Sequence, residues 1–475
     1  MESVVALRET EAAYQSYPPA NERCYAVLLR QDDGQVLLSK NGDRFGIPIF
    51  EIPRQQRVSP NLLSLIHMRF GLIAICRFSL SIRDLDPDGY CVVLEVPDDA
   101  PAEGHVVWID VHAIGWDSIE PDPARNVLWT ALAKTTAFNA GQVAGRFVQS
   151  GWLTEVLAWA KASLAVRGGE LTGKWSQYNM GPDFALLRLH AVERDIWFKA
   201  VGEPNLREFG ITKCLAGLRL PHLPPLLATR EDWHGWLMFD CGEGCLDERA
   251  QLQDWQCAAQ ALAELQIESI GQVGKILNSG ALDRRARNLS GLVDPFLDSM
   301  GSLMEEQTAL SPSALGREEL GWLGKQIQGA LNRLDSLGIP DTLDHLDLNP
   351  GNIALSGHEC AFLDWAEACV GHPFFSFQYL LEHFRRAMKP DARLEAELIG
   401  AYAECWQPRA AAEAIKEALA VSPMLAAFAY AAGNDSWAER ERGKSPEAAR
   451  LLRSLTRRMY REALRWTEGG SRCQG

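Results

Sequence analysis

The sequence predicts an α+β protein in which a small α+β domain precedes a longer region of paired strands and many helices. Three observations support this fold class. Two short apolar runs flank the turn signal Asp32-Asp33-Gly34, as expected of a β-hairpin. A loop containing Pro350 and Gly351 leads into a second hairpin late in the chain. Before and after that hairpin, apolar residues recur at i, i+3 and i+4, the spacing typical of amphipathic helices.

The composition restricts the class of protein and its partners. The chain has 475 residues, 47% of them hydrophobic and 23% charged, which is ordinary globular composition and enough for two or three domains. A formal net charge of −15 argues against nucleic acid as the main partner, because phosphate binding favours a basic surface. The same charge is compatible with a cationic substrate. The 11 cysteines occur singly, which predicts buried thiols in a reducing compartment and no zinc site.

The segments that would direct a chain to a membrane are not predicted. The N-terminus, Met1–Val5, lacks a charged region followed by an apolar core. No apolar stretch approaches the roughly 20 residues that span a bilayer. We therefore expect a cytoplasmic protein without membrane association, and the sequence leaves its oligomeric state open.

The N-terminal part is predicted to contain a leader and an accessory domain. Residues 1–23 are polar, contain Pro18-Pro19 and are expected to form a loose leader. Residues 24–124 are predicted to form a small α+β domain, whose helix is opened by Ser59-Pro60 and ended by Gly71. The predicted strands and helix are Cys24–Leu29, Gln35–Lys40, 59–70, Leu72–Ile82, Tyr90–Val96 and Val106–Ile109.

A helical linker and a second set of strands follow. Residues 125–168 have a helical pattern without proline, which predicts one bridging helix with Trp152 and Trp159 as packing anchors. The next predicted strands are Phe184–His190 and Asp195–Ala200. Lys199 lies at the end of the second of these strands. Pro204 or Asn205 is predicted to open a helix that carries Glu208.

The rest of the chain is predicted to be mostly helical. An apolar strand that begins at Gly235 runs into a glycine break at Gly242. Residues 169–242 and 243–475 are accordingly interpreted as two structural parts. The predicted helices are Arg249–Glu268, a stretch around Leu277–Met304, Arg317–Leu337, Phe377–Met388, Ala392–Glu404, Ala410–Ala420, one opened by Ser422-Pro423, and Glu447–Thr467.

The loop that contains Pro350 and Gly351 carries the main candidate active site. Asp347 precedes Asn352 by five positions on this loop, and the following hairpin returns Asp364 to its side. Phosphoryl transfer needs a base for the attacking hydroxyl and oxygen ligands for a metal ion. We therefore predict Asp347 as the base, and Asn352 and Asp364 as Mg²⁺ ligands. The alternative is that Asp347 and Asn352 only cap a turn.

These residues resemble the aminoglycoside phosphotransferase and choline kinase-like small-molecule kinases, which are relatives of the protein kinases. The family's usual loop is His-Gly-Asp-Leu-His-Pro-Gly-Asn, followed by Ile-Asp-Trp. This chain has the segment 345–352 and Leu363-Asp364-Trp365, so that Leu346 and Asn349 depart from the usual residues. After Gly371-His372-Pro373, Ser376 stands where the family often has Asp, which puts the local bracing in question.

The resemblance implies a bilobal protein kinase-like fold with a large helical C-terminal lobe, and ATP and Mg²⁺ as cofactors. It implies that His345 braces the loop, that Lys199 holds the α- and β-phosphates, and that Glu208 fixes Lys199, with Glu203 as the alternative. Asp240 and Cys241 are implied next to the adenine.

Two further assignments concern the nucleotide and the acceptor. The glycine-rich pattern of protein kinases is missing, and the turn at 176–181 is the candidate that covers the phosphates. Acidic and imidazole side chains near the break and the metal segment are candidates for contacting the acceptor. They are Asp240, Glu243, Asp247, Glu367 and His372.

The accessory domain resembles the Nudix hydrolase fold, in which glutamates on one helix hold magnesium. The corresponding helix carries Leu65, Met68 and Arg69 where carboxylates are expected, and these side chains cannot hold a divalent cation. We therefore predict a non-catalytic accessory domain. An α+β cap unrelated to Nudix proteins is the alternative.

The leading functional prediction is an ATP- and Mg²⁺-dependent phosphotransferase with an alcohol group of a small molecule as acceptor. The acceptor would be aminoglycoside-like, an amino-sugar, an amino alcohol or a related metabolite. The sequence does not decide between a resistance and a metabolic role, or between ATP and GTP. The alternative is a non-catalytic nucleotide-binding or scaffold protein with a kinase-like fold.

Overall fold

The computed structural model describes residues 21–54, 56–97, 101–141, 145–357, 359–388, 391–433, 437 and 446–472. It confirms the predicted α+β class. Among the described residues, the chain divides into two compact units, one with residues 21–209 and 225–240, the other with residues 210–224 and those from 241 onward. Most of the predicted leader lies outside the described residues, and its last three residues begin the first strand instead.

The first unit begins with a seven-stranded sheet and one helix. Its elements are β1 (Asn21–Arg30), β2 (Gln35–Asn41), β3 (Arg44–Gly46), β4 (Ile49–Pro53), α1 (Val58–Phe70), β5 (Ile75–Ser81), β6 (Gly89–Val96) and β7 (Val106–Asp110). The strand order is β3-β2-β1-β6-β5, with β4 beside β1 and β7 beside β2. Gly71 ends α1 in the left-handed conformation (φ 67°), as its position predicted. The predicted strands and helix of this domain are thereby confirmed.

The predicted single bridging helix is wrong, because the segment contains two helices, α2 (Asp122–Asn139) and α3 (Trp152–Ala165). Three glycines between them, Gly141, Gly145 and Gly151, have positive φ and interrupt the helix. Trp152 is buried, and its ring lies 5.2 Å from that of Phe147 in an edge-on contact. The expectation of a packing role for this tryptophan therefore agrees with the structure.

A buried arginine ties these helices to the first sheet. Arg77 on β5 is fully buried and forms an ion pair of 2.6 Å with Asp33 of the first hairpin. The same guanidinium donates to the carbonyl of Val148 (2.8 Å) and to the side chain of Asn139 (3.2 Å). The hydrogen bonds from Arg77 to Val148 and Asn139 thus hold the segment against the first sheet.

A second, antiparallel sheet completes this unit. Its strands are β8 (Leu171–Met180), β9 (Ala185–Ala191), β10 (Ile196–Ala200), β11 (Leu226–Arg230) and β12 (Gly235–Phe239), in the order β11-β12-β10-β9-β8. Helix α4 (Arg207–Leu218) follows β10, and only its residues 207–209 belong to this unit. The phosphate-covering turn predicted at 176–181 is wrong, because residues 176–180 belong to β8 and the turn to β9 spans 181–184. A Cβ on Gly181 would lie 2.0 Å from the ring of Phe184, so this turn requires glycine.

The two sheets meet through the side chain of Gln177 on β8. Its Nε2 donates to the carbonyl of Cys76 on β5 (2.9 Å), and the amide of Cys76 donates to its Oε1 (2.8 Å). Gln177 is 2% exposed. One side-chain amide thus makes the two hydrogen bonds that a neighbouring strand would supply.

The second unit is mostly helical and has two small sheets. Its elements are β13 (Gly244–Cys245), α5 (Leu252–Ser269), α6 (Val273–Asn278), β14 (Leu282–Arg284), α7 (Ala286–Ser290), α8 (Val293–Glu305), α9 (Arg317–Ser336), β15 (Thr342–His345), β16 (Ile353–Ser356), β17 (Glu359–Phe362), β18 (Ala368–Gly371), α10 (Phe374–Ala387), α11 (Ala392–Trp406), α12 (Ala412–Gly433) and α13 (Pro446–Arg472). The sheets have the orders β13-β16-β17 and β14-β18-β15.

Two predicted helices of this unit need correction. The stretch around Leu277–Met304 contains parts of three helices and the strand β14, because Gly280 has positive φ and β14 pairs with β18. No new helix opens at Ser422-Pro423, because α12 runs through it. An interior proline costs about 3 kcal/mol, whereas each large buried apolar side chain contributes about 1.5–3 kcal/mol. The apolar residues beside it, Val421 and Met424, are buried, so packing outweighs the break.

Helix α12 also bears on the expectation about membranes. Its length and composition would allow it to cross a bilayer, in contrast to the expectation that no stretch would do so. Of its apolar window, 61% is buried inside the structure. Buried core helices commonly have this composition.

Candidate active site

The loop between β15 and β16 carries the predicted base. β15 pairs antiparallel with β18, with His345 opposite Ala368, and the chain leaves the sheet directly after His345. Pro350 then opens a short 3-10 turn that ends at Asn352, where β16 begins. The loop is consequently held at both ends by strands, as the hairpin pattern predicted.

Asp347 has a carboxylate in a partly buried and negatively charged setting. Burial raises the pKa of Asp347 to about 6, and the charges of Glu367 and Asp364 act in the same direction. The side chain of Asn349 donates to Oδ1 of Asp347 (3.4 Å). A carboxylate with a pKa near neutrality is suited to take a proton from a hydroxyl group.

Asn349 shapes this loop, although the family usually has histidine there. Its Oδ1 accepts a hydrogen bond from the amide of Gly351 (3.0 Å), which caps the 3-10 turn. Its own amide donates to the carbonyl of Asp347 (2.8 Å). The departure from the family pattern therefore leaves the loop braced by local hydrogen bonds.

Backbone interactions fix the positions of the two predicted magnesium ligands, Asn352 and Asp364. The Nδ2 atom of Asn352 donates to the carbonyl of Asp347 (3.0 Å), so Oδ1 is the atom left for a cation. Asp364 is exposed and has φ 61°, an unusual value for a residue other than glycine and one found often at functional sites. The amide of Leu363 donates to the carbonyl of Asn352 (2.8 Å), which joins the two segments.

Asn352 and Asp364 would suit a magnesium ion, which needs few protein ligands, better than a metal ion that is held only by protein side chains. Among the described residues, no group of three or more His, Cys, Asp or Glu side chains is arranged to hold a metal ion. Magnesium usually takes one or two protein oxygens and completes its shell with water and phosphate. An amide oxygen and a carboxylate in this position match that requirement.

His345 links the base to the metal segment. The amide of Asp347 donates to its Nδ1 (3.2 Å), so Nε2 carries the proton and donates to the carbonyl of Leu363 (3.0 Å). Its ring also lies 4.8 Å from that of Trp365. His345 is 1% exposed, and its two ring nitrogens connect the base loop to the segment before Asp364.

Lys199 and Glu208 form an ion pair in the other unit. Nζ of Lys199 lies 2.6 Å from Oε1 of Glu208, and the two side chains are 17% and 2% exposed. Glu208 lies in the first turn of α4, where the helix dipole favours a carboxylate. The helix begins at Arg207, later than predicted, because residues 203–206 form a turn. The structure thus pairs the lysine with Glu208.

Asp240 and Cys241 lie where the chain passes from one unit to the other. The carboxylate of Asp240 forms an ion pair of 2.7 Å with Arg188, and its amide donates to the carbonyl of Asp195 (2.9 Å). The Asp240 carbonyl accepts from Arg194 (2.7 Å). The groups of Asp240 therefore have protein partners, which makes it a structural residue of this strand end in the present structure.

Gly242 allows the chain to approach the hairpin closely. A Cβ at this position would lie 2.8 Å from the carbonyl oxygen and 3.0 Å from the amide nitrogen of Leu355. The amide of Glu243 donates to that same carbonyl (2.9 Å). The predicted glycine break is thus a site of close backbone contact.

The candidate acceptor contacts differ in their surroundings. Glu367 is partly buried and acts on the pKa of Asp347, which places its charge near the base. His372 is 4% exposed, its pKa is lowered to about 3 by burial, and its Nδ1 accepts from the amide of Phe374 (3.3 Å). His372 is therefore placed as a core residue. Asp247 lies beside the loop, since a Cβ on Gly351 would be 3.5 Å from its Oδ2.

Sequence reasoning missed residues that come from distant helices. Burial and the charges of Glu367 and Asp347 raise the pKa of Tyr430 on α12, and its ring lies 5.6 Å from that of Tyr379. Asp344, directly before the motif, is 1% exposed and contacts Ser376. The position of Asp344 next to the motif was a signal for its role, whereas nothing local indicated Tyr430.

Comparison with known proteins agrees with the motifs. Residues 203–414 match the model of the phosphotransferase enzyme family, a range that contains Glu208, the catalytic loop and the metal segment. The match confirms the predicted resemblance and supports a phosphotransferase that acts on a hydroxyl group. A search of curated proteins finds no match.

Several solved structures match this chain at low identity. A macrolide 2'-phosphotransferase from Brachybacterium faecium is 16% identical, with 63% of this chain and 98% of that chain covered and a TM-score of 0.42. A choline kinase from Cryptosporidium parvum is 12% identical, with 67% and 97% covered and a TM-score of 0.46. An ethanolamine kinase from Plasmodium vivax is 12% identical, with 61% and 84% covered and a TM-score of 0.42. These values are too low to transfer a substrate to this chain.

Proposed function

We propose that the protein transfers the γ-phosphoryl group of ATP, with Mg²⁺, to a hydroxyl group of a small cationic molecule. Amino alcohols, amino-sugars and aminoglycoside-like compounds belong to this class. The observation that supports the proposal most directly is the linked set of Asp347, Asn352 and Asp364, held together through His345. A turn cap would need Asp347 and Asn352 only, not a returning carboxylate with φ 61°.

The residues of the loop have distinct tasks in this reaction. The carboxylate of Asp347 accepts the proton of the acceptor hydroxyl. At the same time the oxygen of that hydroxyl bonds to the γ-phosphorus, and the bond from the γ-phosphorus to the β,γ-bridging oxygen breaks, which releases ADP. Asn352 and Asp364 would hold Mg²⁺, which neutralises charge on the phosphate oxygens. Lys199, fixed by Glu208, contacts the α- and β-phosphates.

The charge around Asp347 supports a cationic acceptor. Glu367 and Asp364 act on Asp347 with the same sign, so the site concentrates negative charge. A magnesium ion offsets part of this charge, and an ammonium group on the acceptor would offset more. Burial and the charge of Glu367 raise the pKa of both Tyr379 and Tyr430, whereas the charge of Arg458 lowers that of Tyr379.

The accessory domain is proposed to be non-catalytic. Helix α1 contains no aspartate or glutamate, and Met68, at one of the positions that a Nudix helix would use, is 70% exposed to solvent. Such a helix cannot hold a divalent cation. The enzyme is further proposed to act in the cytoplasm, where ATP is supplied, without nucleic acid or a membrane as partner.

The test is magnesium-dependent ADP release by the purified full chain with a panel of amino alcohols, amino-sugars, aminoglycosides and uncharged sugars. We expect turnover with a cationic member, and a loss of about 10²–10⁴-fold in kcat for Asp347→Asn. Asp43→Asn, an exposed carboxylate of the accessory domain, is the matched control and keeps wild-type turnover.

Two outcomes would contradict the proposal. If wild type binds MgATP but releases no ADP with any acceptor, and Asp347→Asn behaves identically, the non-catalytic nucleotide-binding alternative is supported instead. Turnover confined to uncharged sugars would retain the phosphotransferase and reject the cationic acceptor.

A further inference from the structure

A serine and an aspartate form a buried contact beneath the catalytic loop. Ser376 lies in the first turn of α10 and is fully buried. Its Oγ accepts a hydrogen bond from the amide of His345 (2.7 Å) and contacts Oδ1 of Asp344. It also lies 3.1 Å from the carbonyl of His345. A serine hydroxyl has one proton, so Asp344 and the carbonyl of His345 share it, while one lone pair accepts from the amide of His345.

Asp344 is held from its other side by residues of two helices. Nε2 of Gln266 on α5 donates to Oδ1 of Asp344 (3.1 Å) and to the carbonyl of Pro373 (2.6 Å). The hydroxyl of Tyr402 on α11 donates to Oε1 of Gln266 (2.6 Å). All three side chains are at most 1% exposed. The Asp344 carboxyl group therefore contacts Gln266 on α5 and Ser376 on α10, and Tyr402 on α11 orients Gln266.

The contact between Ser376 and His345 matters for the reaction because His345 positions the segments that contain Asp347 and Asp364. Its backbone is fixed by Ser376, while its ring contacts the amide of Asp347 and the carbonyl of Leu363, the residue before the predicted ligand Asp364. A shift of the His345 backbone would move both segments together. A misplacement of about 1 Å at a reacting group costs about 10²-fold in rate.

We infer that Ser376 and Asp344 are a coupled pair of positioning residues, in which the hydroxyl group and the carboxyl group together hold the His345 backbone and thereby Asp347. This inference rests on the proposed function for its kinetic readout. Neither residue contacts the reacting atoms, so their effect is on the geometry of the loop. Substrate binding by the remaining groups is then largely preserved.

The first test replaces the hydroxyl group. Ser376→Ala should lower kcat by about 10–100-fold, the range found when supporting partners of site residues are removed, with less than about a twofold change in KM for ATP. The matched control is Ser422→Ala on α12, which removes another fully buried serine hydroxyl, one that donates to the carbonyl of Ala418 (2.6 Å). The control is expected to lower the melting temperature and to leave kcat unchanged.

The second test exchanges the two groups. Ser376→Asp alone places two buried carboxyl groups in contact and should reduce kcat at least as far as Ser376→Ala. The double variant Asp344→Ser/Ser376→Asp restores one hydroxyl and one carboxyl group, and we expect its kcat to recover to within about threefold of wild type. It keeps the inference testable if Ser376→Ala fails to fold.

A structural readout separates this inference from the proposed function. Hydrogen–deuterium exchange of the peptide that contains His345 should be faster in Ser376→Ala than in wild type and unchanged in Ser422→Ala. If wild type shows no phosphotransfer, the proposed function fails, and this exchange result still decides whether the pair holds the loop. Wild-type exchange in Ser376→Ala, or no recovery of kcat in the exchanged double variant relative to Ser376→Asp, would overturn the inference.

Discussion

The ion pair between Lys199 and Glu208 allows its roles in stability and in phosphotransfer to be separated. We consider Lys199→Met, which keeps an apolar stem near the ring of Trp236 but removes the ammonium group. The carboxylate of Glu208 is 2% exposed, so it loses its 2.6 Å cationic partner without gaining water. In the double variant Lys199→Met/Glu208→Leu, the buried charges are replaced by apolar groups.

The structure sets the expected magnitudes. Removal of one partner of a buried ion pair costs about 3–5 kcal/mol, whereas replacement of both by apolar groups is often neutral. At about 1 °C per kcal/mol for a chain of 475 residues, Lys199→Met should lower the melting temperature by about 3–5 °C. The double variant should regain most of that loss. Both variants would lack the proposed contact of Lys199 with the phosphates, which should lower kcat/KM for ATP by about 10²–10³-fold.

Thermal unfolding followed by circular dichroism gives the stabilities, and ADP release at saturating acceptor gives kcat/KM for ATP. Arg393→Met is the matched control, because it removes a cation from an ion pair with Glu397 in which both side chains are exposed. Such a pair contributes about 0–1 kcal/mol, so this variant should resemble wild type. Recovery of both stability and activity in the double variant would refute the assignment of Lys199 to the phosphates. An unchanged melting temperature in Lys199→Met would refute the energetic reasoning.

Three further predictions follow from the site and its surroundings. Since burial raises the pKa of Asp347 to about 6 and the base must be ionised, kcat/KM should fall about tenfold per pH unit below pH 6; a flat pH profile between 5 and 7 would contradict this. Gly242→Ala places a Cβ 2.8 Å from the Leu355 carbonyl and should lower the free energy of unfolding by about 1–3 kcal/mol in urea, whereas Gly274→Ala, with open space around its Cβ, should not. Burial raises the pKa of Asp344 well above its ordinary value, so this residue favours the folded state below pH 4 and loses that contribution as pH rises. Asp344→Asn should therefore gain stability relative to wild type between pH 4 and 8 by up to about 1.4 kcal/mol per pH unit, and a constant difference in urea unfolding would refute this.

Local patterns predicted the parts of the site that lie close together in the chain. Asp347 and Asn352 share one loop, and the short hairpin after it has only one way to return Asp364. The spacing of Asp347, Asn352 and Asp364 in the sequence was therefore enough to predict that they lie close together. Lys199 and Glu208 are nine positions apart and were likewise within reach of strand and helix patterns.

The rest depended on contacts between distant segments. Nothing near Ser376 shows that Gln266 and Tyr402 would complete its network, because they are brought together by three separate helices. Pro423 is a local signal for a break, but burial of its neighbours overrides it. The strand β8 extends through residues 176–180 because these residues pair with β9. The glycine at 181 indicated where the strand ends but not that the residues before it are paired.

The hydrogen bonds of the Gln177 side chain make the second sheet dependent on the first sheet. β8 lies at the edge of its sheet, and unpaired edges invite association with other chains. The Gln177 amide makes two hydrogen bonds to the Cys76 backbone, so the accessory domain acts as a seal along that edge. A gene that retained the phosphotransferase segment and lost its neighbour would leave a buried amide facing water and a strand open to aggregation. The two hydrogen bonds between Gln177 and Cys76 thus cover part of a strand edge that would otherwise be open to association.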